Sequence, residues 1–144
     1  MTWPLDLNAW AERIESANVA GVKSVGLGAD LQRAAQSAYA LPAVFVLPSD
    51  ETVAMLSRDS VPRARRAITC RVGIVIGLLH YGDRAGGKAN DALQPIRKGI
   101  ADALHAWKID AFTTAAMFAG GSAANITDTA QWWIDTYEVT IHDQ

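Results

Sequence analysis

The longest alternation of apolar and polar positions in the chain runs from Arg66 to Leu79. One face of this segment is apolar throughout, whereas the other begins polar with Thr69 and Arg71 and ends apolar. A period of two residues is typical of a β-strand, because successive side chains of a strand point to opposite sides. The pattern therefore predicts a long strand with the apolar positions Ile68, Cys70, Val72, Ile74, Ile76 and Leu78.

Two segments in the first third of the chain have helical patterns instead. The first is amphipathic, can be capped by Asp6 or Asn8, and has apolar residues at spacings of three and four: Leu7, Trp10, Ile14 and Ala17. Asp30 to Ala38 begins with an acid and continues rich in alanine, which predicts a short second helix. Leu41-Pro42 ends it, since the residue before a proline avoids the helical conformation.

The strongest helical pattern follows Asn90 and Asp91, either of which can cap it. Its apolar residues are Leu93, Ile96, Ile100, Leu104 and Trp107. Pro95 lacks a backbone N–H and removes one helical hydrogen bond unless it lies in the first turn. We therefore expect a kink at Pro95 or a helix that starts near Gln94.

Short runs of β-branched, aromatic and apolar residues predict the remaining strands. One run is enclosed by Pro42 and Pro48, and another is ended by a turn at Gly120-Gly121. Glycine suits that turn because it adopts positive φ freely. The predicted strands are Val22–Leu27, Ala43–Leu47, Phe112–Phe118 and Gln131–Ile141.

Ser49 to Arg65 separates two of these strands, is polar, and shows no sustained period. We predict a long loop or mobile arm here, and loops of this length are usually functional or disordered. Adjacent strands imply antiparallel pairing. The order of elements therefore predicts an α+β fold with a mostly antiparallel sheet of four to five strands, in a single domain over residues 1–144.

The composition excludes several classes of protein. A net charge of −2 and a pI near 5.8 give no overall basic field for nucleic acid or a membrane surface. The start lacks the pattern of a signal peptide, and the apolar run Val72–Leu79 is too short to span a bilayer, so we expect folding in a cytoplasm. The single cysteine, Cys70, is expected to be a small buried core residue.

Each candidate catalytic, metal-binding or cofactor-binding residue lacks the further residues that such a site needs. His80 and Asp83 share a loop, but no Gly-x-Ser-x-Gly elbow presents a nucleophile. His105 and His142 have no second ligand at helical spacing, and the glycine pair Gly26-Leu27-Gly28 lacks the third glycine of a dinucleotide turn. We therefore expect no cofactor, no metal and no catalytic residues, with a small enzyme using His80 and Asp83 as one alternative.

Charge is distributed unevenly along the chain. Arg58 to Arg71 contains five arginines and one acid, whereas Asn125 to Gln144 contains four acids and neither lysine nor arginine. These charges either form a solvated surface or pair across strands of one sheet, or they lie on neighbouring copies, where opposite faces suit a head-to-tail ring. Residues placed at such a contact are Arg58, Arg63, Arg65, Arg66, Asp128, Asp135 and Glu138. A third interpretation is a DNA-binding module that uses Arg63, Arg65 and Arg66 on phosphates.

A series of short motifs from about Val22 to Ile141 resembles the tail terminator proteins of long-tailed phages. In order, they are Leu41-Pro42-Ala43-x-Phe45-Val46-Leu47-Pro48, Val72 to Ile76, Leu104-x-x-Trp107, Phe118-Ala119-Gly120-Gly121 and Trp132-Trp133-x-x-x-Tyr137. The aromatic residues of these motifs are also suited to packing in a core or between subunits.

The resemblance implies a structural virion protein without catalytic residues. It implies a ring, expected to be a hexamer, that sits on the tail tube protein, stops tube growth and meets a head-completion or connector protein. DNA would pass through the lumen only as cargo, and no membrane would be involved. A head–tail adaptor or stopper has similar size and composition and remains an alternative.

Overall fold

The structure, a computed structural model, describes residues 5–35, 41–55, 66–79, 87–110, 113–126 and 130–143. Its elements are α1 (Leu7–Ser16), β1 (Ser24–Leu27), α2 (Gly28–Ala35), β2 (Ala43–Met55), β3 (Arg66–Leu79), α3 (Gly87–Leu104), β4 (Met117–Ile126) and β5 (Ala130–Asp143). The strands form one sheet in the order β1-β2-β3-β5-β4. β1 is parallel to β2, and the other neighbours are antiparallel. The predicted α+β class with a mostly antiparallel sheet is confirmed.

β3 is the central strand and has the bounds that its alternation predicts. It pairs with β5 along its whole length and with β2 on its other side. Its apolar face is buried in the main core against side chains of α1 and α3, including Trp10, Ile14, Ile96 and Ile100. The strand is therefore held by hydrogen bonds on both edges and by apolar burial on this face.

The second face of the sheet is divided along the strands. At one end, Phe45, Val75 and Trp132 form a smaller apolar cluster, against which Leu31 of α2 packs. At the other end, Thr69 and its neighbour Thr140 on β5 are partly exposed, with their hydroxyl oxygens 3.2 Å apart. This face of β3 is therefore apolar where α2 covers the sheet and polar where α2 does not cover it.

α1 begins where its pattern predicts, and Asp6 is its cap. The Asp6 carboxylate accepts hydrogen bonds from the backbone N–H groups of Asn8 and Ala9. α2 begins at Gly28, two residues before the predicted Asp30, and residues 36–38 of the predicted helix lie outside the described residues.

α3 extends further towards the N-terminus than predicted. It begins at Gly87 and contains Pro95 in its interior, so of the two expected alternatives the start near Gln94 is wrong, and a kink at Pro95 stays a prediction. Proline leaves the carbonyl of the residue four positions earlier without its helical hydrogen bond. That residue is Asp91, which is exposed, as is Pro95, so water can satisfy the carbonyl. The helix ends at Leu104, before Trp107.

The predicted arm from Ser49 to Arg65 is wrong for its first seven residues. β2 continues through them to Met55 and stays paired with β3, with a register shift between Pro48 and Glu51. The side chains of residues 51–54 are all exposed, which is why no alternation marks them as a strand. Residues 56–65 lie outside the described part of the chain.

The predicted strand Phe112–Phe118 is also misplaced. β4 begins at Met117, Phe112 is outside the described residues, and Thr113 makes only an isolated bridge to Ile141. Gly120 and Gly121 lie inside β4 and do not form a turn that ends it. β4 has a bulge between Phe118 and Gly120, where Gly120 takes a φ of +119°, so glycine is needed here for a bulge.

Candidate interaction surfaces

The residues predicted at a subunit contact fall into three groups. Arg58, Arg63, Arg65 and Asp128 lie outside the described residues, as do His80 and Asp83. Arg66 is exposed at the start of β3. The two remaining acids, Glu138 and Asp135, are both on β5 but have different environments.

Glu138 takes part in a row of charges across three strands. Arg71 on β3 donates from Nε to Glu138 Oε1 at 2.9 Å and from Nη1 to Asp50 Oδ2 at 3.1 Å. The hydrogen bond to Asp50, and to a smaller extent the one to Glu138, raises the pKa of Arg71. Arg71 from the arginine-rich segment and Glu138 from the acidic segment therefore pair within one sheet. Ion pairs as exposed as these contribute little to stability.

Asp135 is buried, with 1% of its side chain exposed. Arg97 on α3 donates to it from Nε at 3.0 Å and from Nη2 at 3.0 Å, and Trp133 donates from Nε1 at 2.8 Å. Donors of its own subunit therefore enclose this carboxylate, and the cation comes from a helix distant in sequence. The assignment of Asp135 to a contact between subunits stays a prediction.

Gly121 makes room for this buried pair. A Cβ atom at this position would collide with Asp135 Oδ1 and would lie 2.8 Å from Trp133 Nε1. The Arg97 guanidinium also stacks over the Trp133 ring, 4.7 Å from its centroid. The requirement for glycine here is steric, since any larger residue would displace the carboxylate or the indole.

The aromatic motif residues pack inside the subunit. Tyr137 is fully buried between Trp10 and Phe118, at ring-centroid distances of 6.4 and 5.4 Å, and burial is the main cause that raises its pKa. Trp107 contacts Trp10 edge to face. On the opposite face of the sheet, Trp132 packs against Phe45.

The prolines and the remaining tryptophan of the motifs have different surroundings. Pro42 is half-buried next to the start of β2, where its carbonyl accepts a hydrogen bond from Lys23. Pro48 is exposed at the β2 bulge. Trp133 is half-buried beneath Arg97.

Apolar surface remains exposed at both edges of the sheet. In the described part of the chain, the exposed large hydrophobic residues are Val53, Met117 and Phe118, at 59%, 50% and 41%. Met117 and Phe118 begin β4. The backbone N–H of Phe118 donates to Nδ1 of the exposed His105 at 3.2 Å, so the turn after α3 lies beside this pair.

An open cavity of about 320 Å³ lies beside the β2 bulge. Its walls are mainly apolar, with charged groups at the rim, and it is lined by Leu5, Leu7, Pro48, Ser49, Asp50, Glu51, Cys70, Arg71 and Val72. Burial, with a smaller contribution from Glu51, raises the pKa of Cys70 to about 11. Cys70 is therefore a neutral thiol near pH 7 and not an activated nucleophile.

Three of these features are absent from the predictions based on the sequence. The Arg97–Asp135 pair joins residues 38 positions apart, and the cavity is lined by residues at the β2 bulge, which has no signal in the sequence. Met117 and Phe118 carried a signal, since two large apolar residues precede a run of small ones in an uncharged segment. The predicted strand Phe112–Phe118 places these two residues at its end, whereas they begin β4.

Within the described ranges, no group of three or more histidine, cysteine, aspartate or glutamate side chains is placed to hold a metal ion. None of the helices described is long and apolar enough to cross a membrane.

The sequence model of the family described as "Phage tail terminator protein" matches residues 1–143. The chain belongs to the phage tail terminator family. The resemblance inferred from its motifs is thereby confirmed. This tail terminator is a structural protein of the phage tail and virion, where it associates with other tail and head proteins.

A solved structure shares the fold of this tail terminator. A chain of the structure described as "Virion of native gene transfer agent (GTA) particle" is similar with a TM-score of 0.55 and 11% sequence identity. The similarity covers 94% of this chain and 93% of that chain. At this identity it concerns the fold alone. No curated protein matches the sequence significantly.

Proposed function

We propose that this tail terminator assembles into a ring, most simply a hexamer, that caps the tail tube at the head–tail junction. The ring stops polymerisation of the tube protein and presents the surface to which the head-completion protein binds. DNA passes through its lumen as cargo. The observation that carries this proposal is the family match over residues 1–143.

The surfaces of the subunit support a ring. A head-to-tail contact joins two different surfaces of identical subunits, and it closes when the rotation between neighbours permits. The described residues provide exposed apolar side chains at the start of β4 and an open apolar cavity beside β2, at opposite edges of the sheet. A symmetric dimer, by contrast, would use one surface on both partners.

Deletion of the gene tests the proposal. Loss of a tail terminator removes the stop to tube growth, so we expect electron microscopy to show tails of abnormal and variable length that are not joined to heads. Expression of the wild-type chain in trans is the control and should restore both length and joining. Loss of an adaptor or stopper would instead leave unjoined tails of normal length, and that result would replace the proposal with the connector alternative.

A further inference from the structure

We infer that Met117 and Phe118 at the start of β4 dock on the cavity beside the β2 bulge of a second copy of this chain. This inference rests on the proposed ring and identifies the contact that builds it. The two surfaces are named here the β4 tip (Met117 and Phe118) and the β2 cavity (the residues lining the cavity beside Pro48).

Both surfaces are apolar at their centres, so each can bury the apolar side chains of the other. The β4 tip exposes two large apolar side chains at the edge of the sheet, one on each face because they are successive residues of a strand. The β2 cavity offers apolar walls from Leu5, Leu7 and Val72. An apolar side chain anchored in a pocket and surrounded by a polar rim is the usual arrangement at the centre of a protein interface.

The sheet places the two surfaces at one height on opposite edges. Met117 is directly opposite Glu138 on β5, and Glu138 is opposite Arg71 on β3. Arg71 in turn pairs with Asp50 at the rim of the β2 cavity. A second copy displaced along this row therefore meets the first without a shift along the strands. A contact without such a shift is what a ring requires when its axis follows the strands, whereas a shift would build a helical filament.

The charges beside the two surfaces favour the contact, although only a few side chains contribute to them. Two carboxylates, Asp50 and Glu51, and one cation, Arg71, line the β2 cavity, so acids are in excess there. Beside the β4 tip, the turn after α3 carries the exposed Lys108, which has the opposite charge. This turn is held against the tip because Ala116 donates its N–H to the Trp107 carbonyl at 2.7 Å. Such complementarity fixes the register and orientation of a contact more than its affinity.

Continuation of the sheet by strand pairing is a poorer use of β4. The strand has register shifts between Phe118 and Gly120 and between Ala123 and Asn125. The N–H of Phe118 is already bonded to His105. Bulges interrupt the regular ladder that an added strand needs, so the side chains of the β4 tip, and not its backbone, make the contact.

A disulfide cross-link tests the contact directly. The variant carries Ser49→Cys in the β2 cavity and Met117→Cys in the β4 tip, with Cys70→Ala to remove the native thiol. Within one copy these positions lie on strands three spacings apart, about 14 Å at about 4.8 Å per spacing, beyond the roughly 7 Å limit between disulfide-bonded Cα atoms. Any bond between them therefore joins two copies.

We expect mild oxidation of this variant, assembled alone or on tail tubes, to give a ladder on a denaturing gel that ends at the number of subunits in the ring. Variants with only one of the two cysteines should remain monomeric on the same gel. Dimers of the Met117→Cys variant alone would show that like surfaces meet, and would overturn the inference.

The outcomes separate the inference from the proposed function. If native mass spectrometry or microscopy shows a wild-type ring but the double-cysteine variant gives no ladder, the inference is wrong and the ring proposal stands. If the wild-type chain forms no ring, either alone or on tubes, both fail.

A mixing experiment provides a second test. Met117→Ser with Phe118→Ser removes the β4 tip, and Ser49→Trp fills the β2 cavity. Neither variant should close a ring alone, whereas an equimolar mixture should stop at dimers, because only one intact contact can form. Ala123→Ser on β4 and Ser16→Trp at the end of α1 change exposed residues outside both surfaces, and should form rings like the wild type. Rings from either single-surface variant would contradict the inference.

Discussion

Gly121 illustrates how one residue without a side chain fixes the positions of its neighbours. Asp135, Trp133 and Arg97 all approach it closely, and their hydrogen bonds depend on the space it leaves. A buried carboxylate is tolerated only when donors surround it. The buried Arg97–Asp135 pair therefore depends on the missing side chain at Gly121 as well as on its own charged groups.

Gly121→Ala is expected to destabilise the protein by about 1–3 kcal/mol, because the added methyl group overpacks the site around Asp135. Urea denaturation followed by tryptophan fluorescence measures the free energy of unfolding. Gly73→Ala is the matched control on β3, where a Cβ atom would be 3.6 Å from its nearest neighbour, an ordinary contact. Equal losses in the two variants would contradict the steric explanation.

Asp135 and Glu138 on β5 show what a sequence conveys about single residues. The sequence reveals that Asp135 and Glu138 belong to an acidic segment, but not that one is buried and the other is partly exposed. That difference depends on Arg97, which only the folded chain brings to β5. Glu138 pairs with a residue of the basic segment, Arg71, and this pairing within one sheet was one of the interpretations that the sequence left open.

At the scale of elements, prediction succeeded where burial differs between the two sides of an element. β3 and α1 were predicted within one residue of their bounds, because burial repeats along them with a clear period. β4 and the second half of β2 are edge segments with mostly exposed side chains, so their sequences carry no such period. Their assignment as strands depends on backbone pairing with β5 and β3, which composition does not report.

α3 is held to the sheet by the Arg97–Asp135 pair as well as by apolar packing. Arg97→Gln should cost about 3 kcal/mol, because it leaves the buried Asp135 carboxylate without its cation. Lys98→Gln on the same helix is the control. It removes an exposed pair with Asp102, whose side chains are 76% and 65% exposed, and should cost less than about 0.5 kcal/mol. Chemical denaturation of both variants compares the two losses, and a similar loss in each would show that the pair does not hold α3.

At the scale of the whole molecule, we expect residues 1–144 to unfold as one domain. The five strands that the structure describes belong to one sheet, and the main core joins side chains of α1, α3 and the sheet. Small single domains usually unfold in one cooperative transition. The loss of circular dichroism and of tryptophan fluorescence should therefore coincide when the protein is monomeric. Two separate transitions would divide the chain into independent units.

The bulges of β4 also affect the tendency of free subunits to aggregate. β4 is a ten-residue edge strand without a charged side chain, and long uncharged edges are the sites on which fibrils nucleate. Two interruptions in ten residues deny an incoming strand a continuous template. Free subunits can therefore expose this apolar edge without offering a template on which fibrils grow.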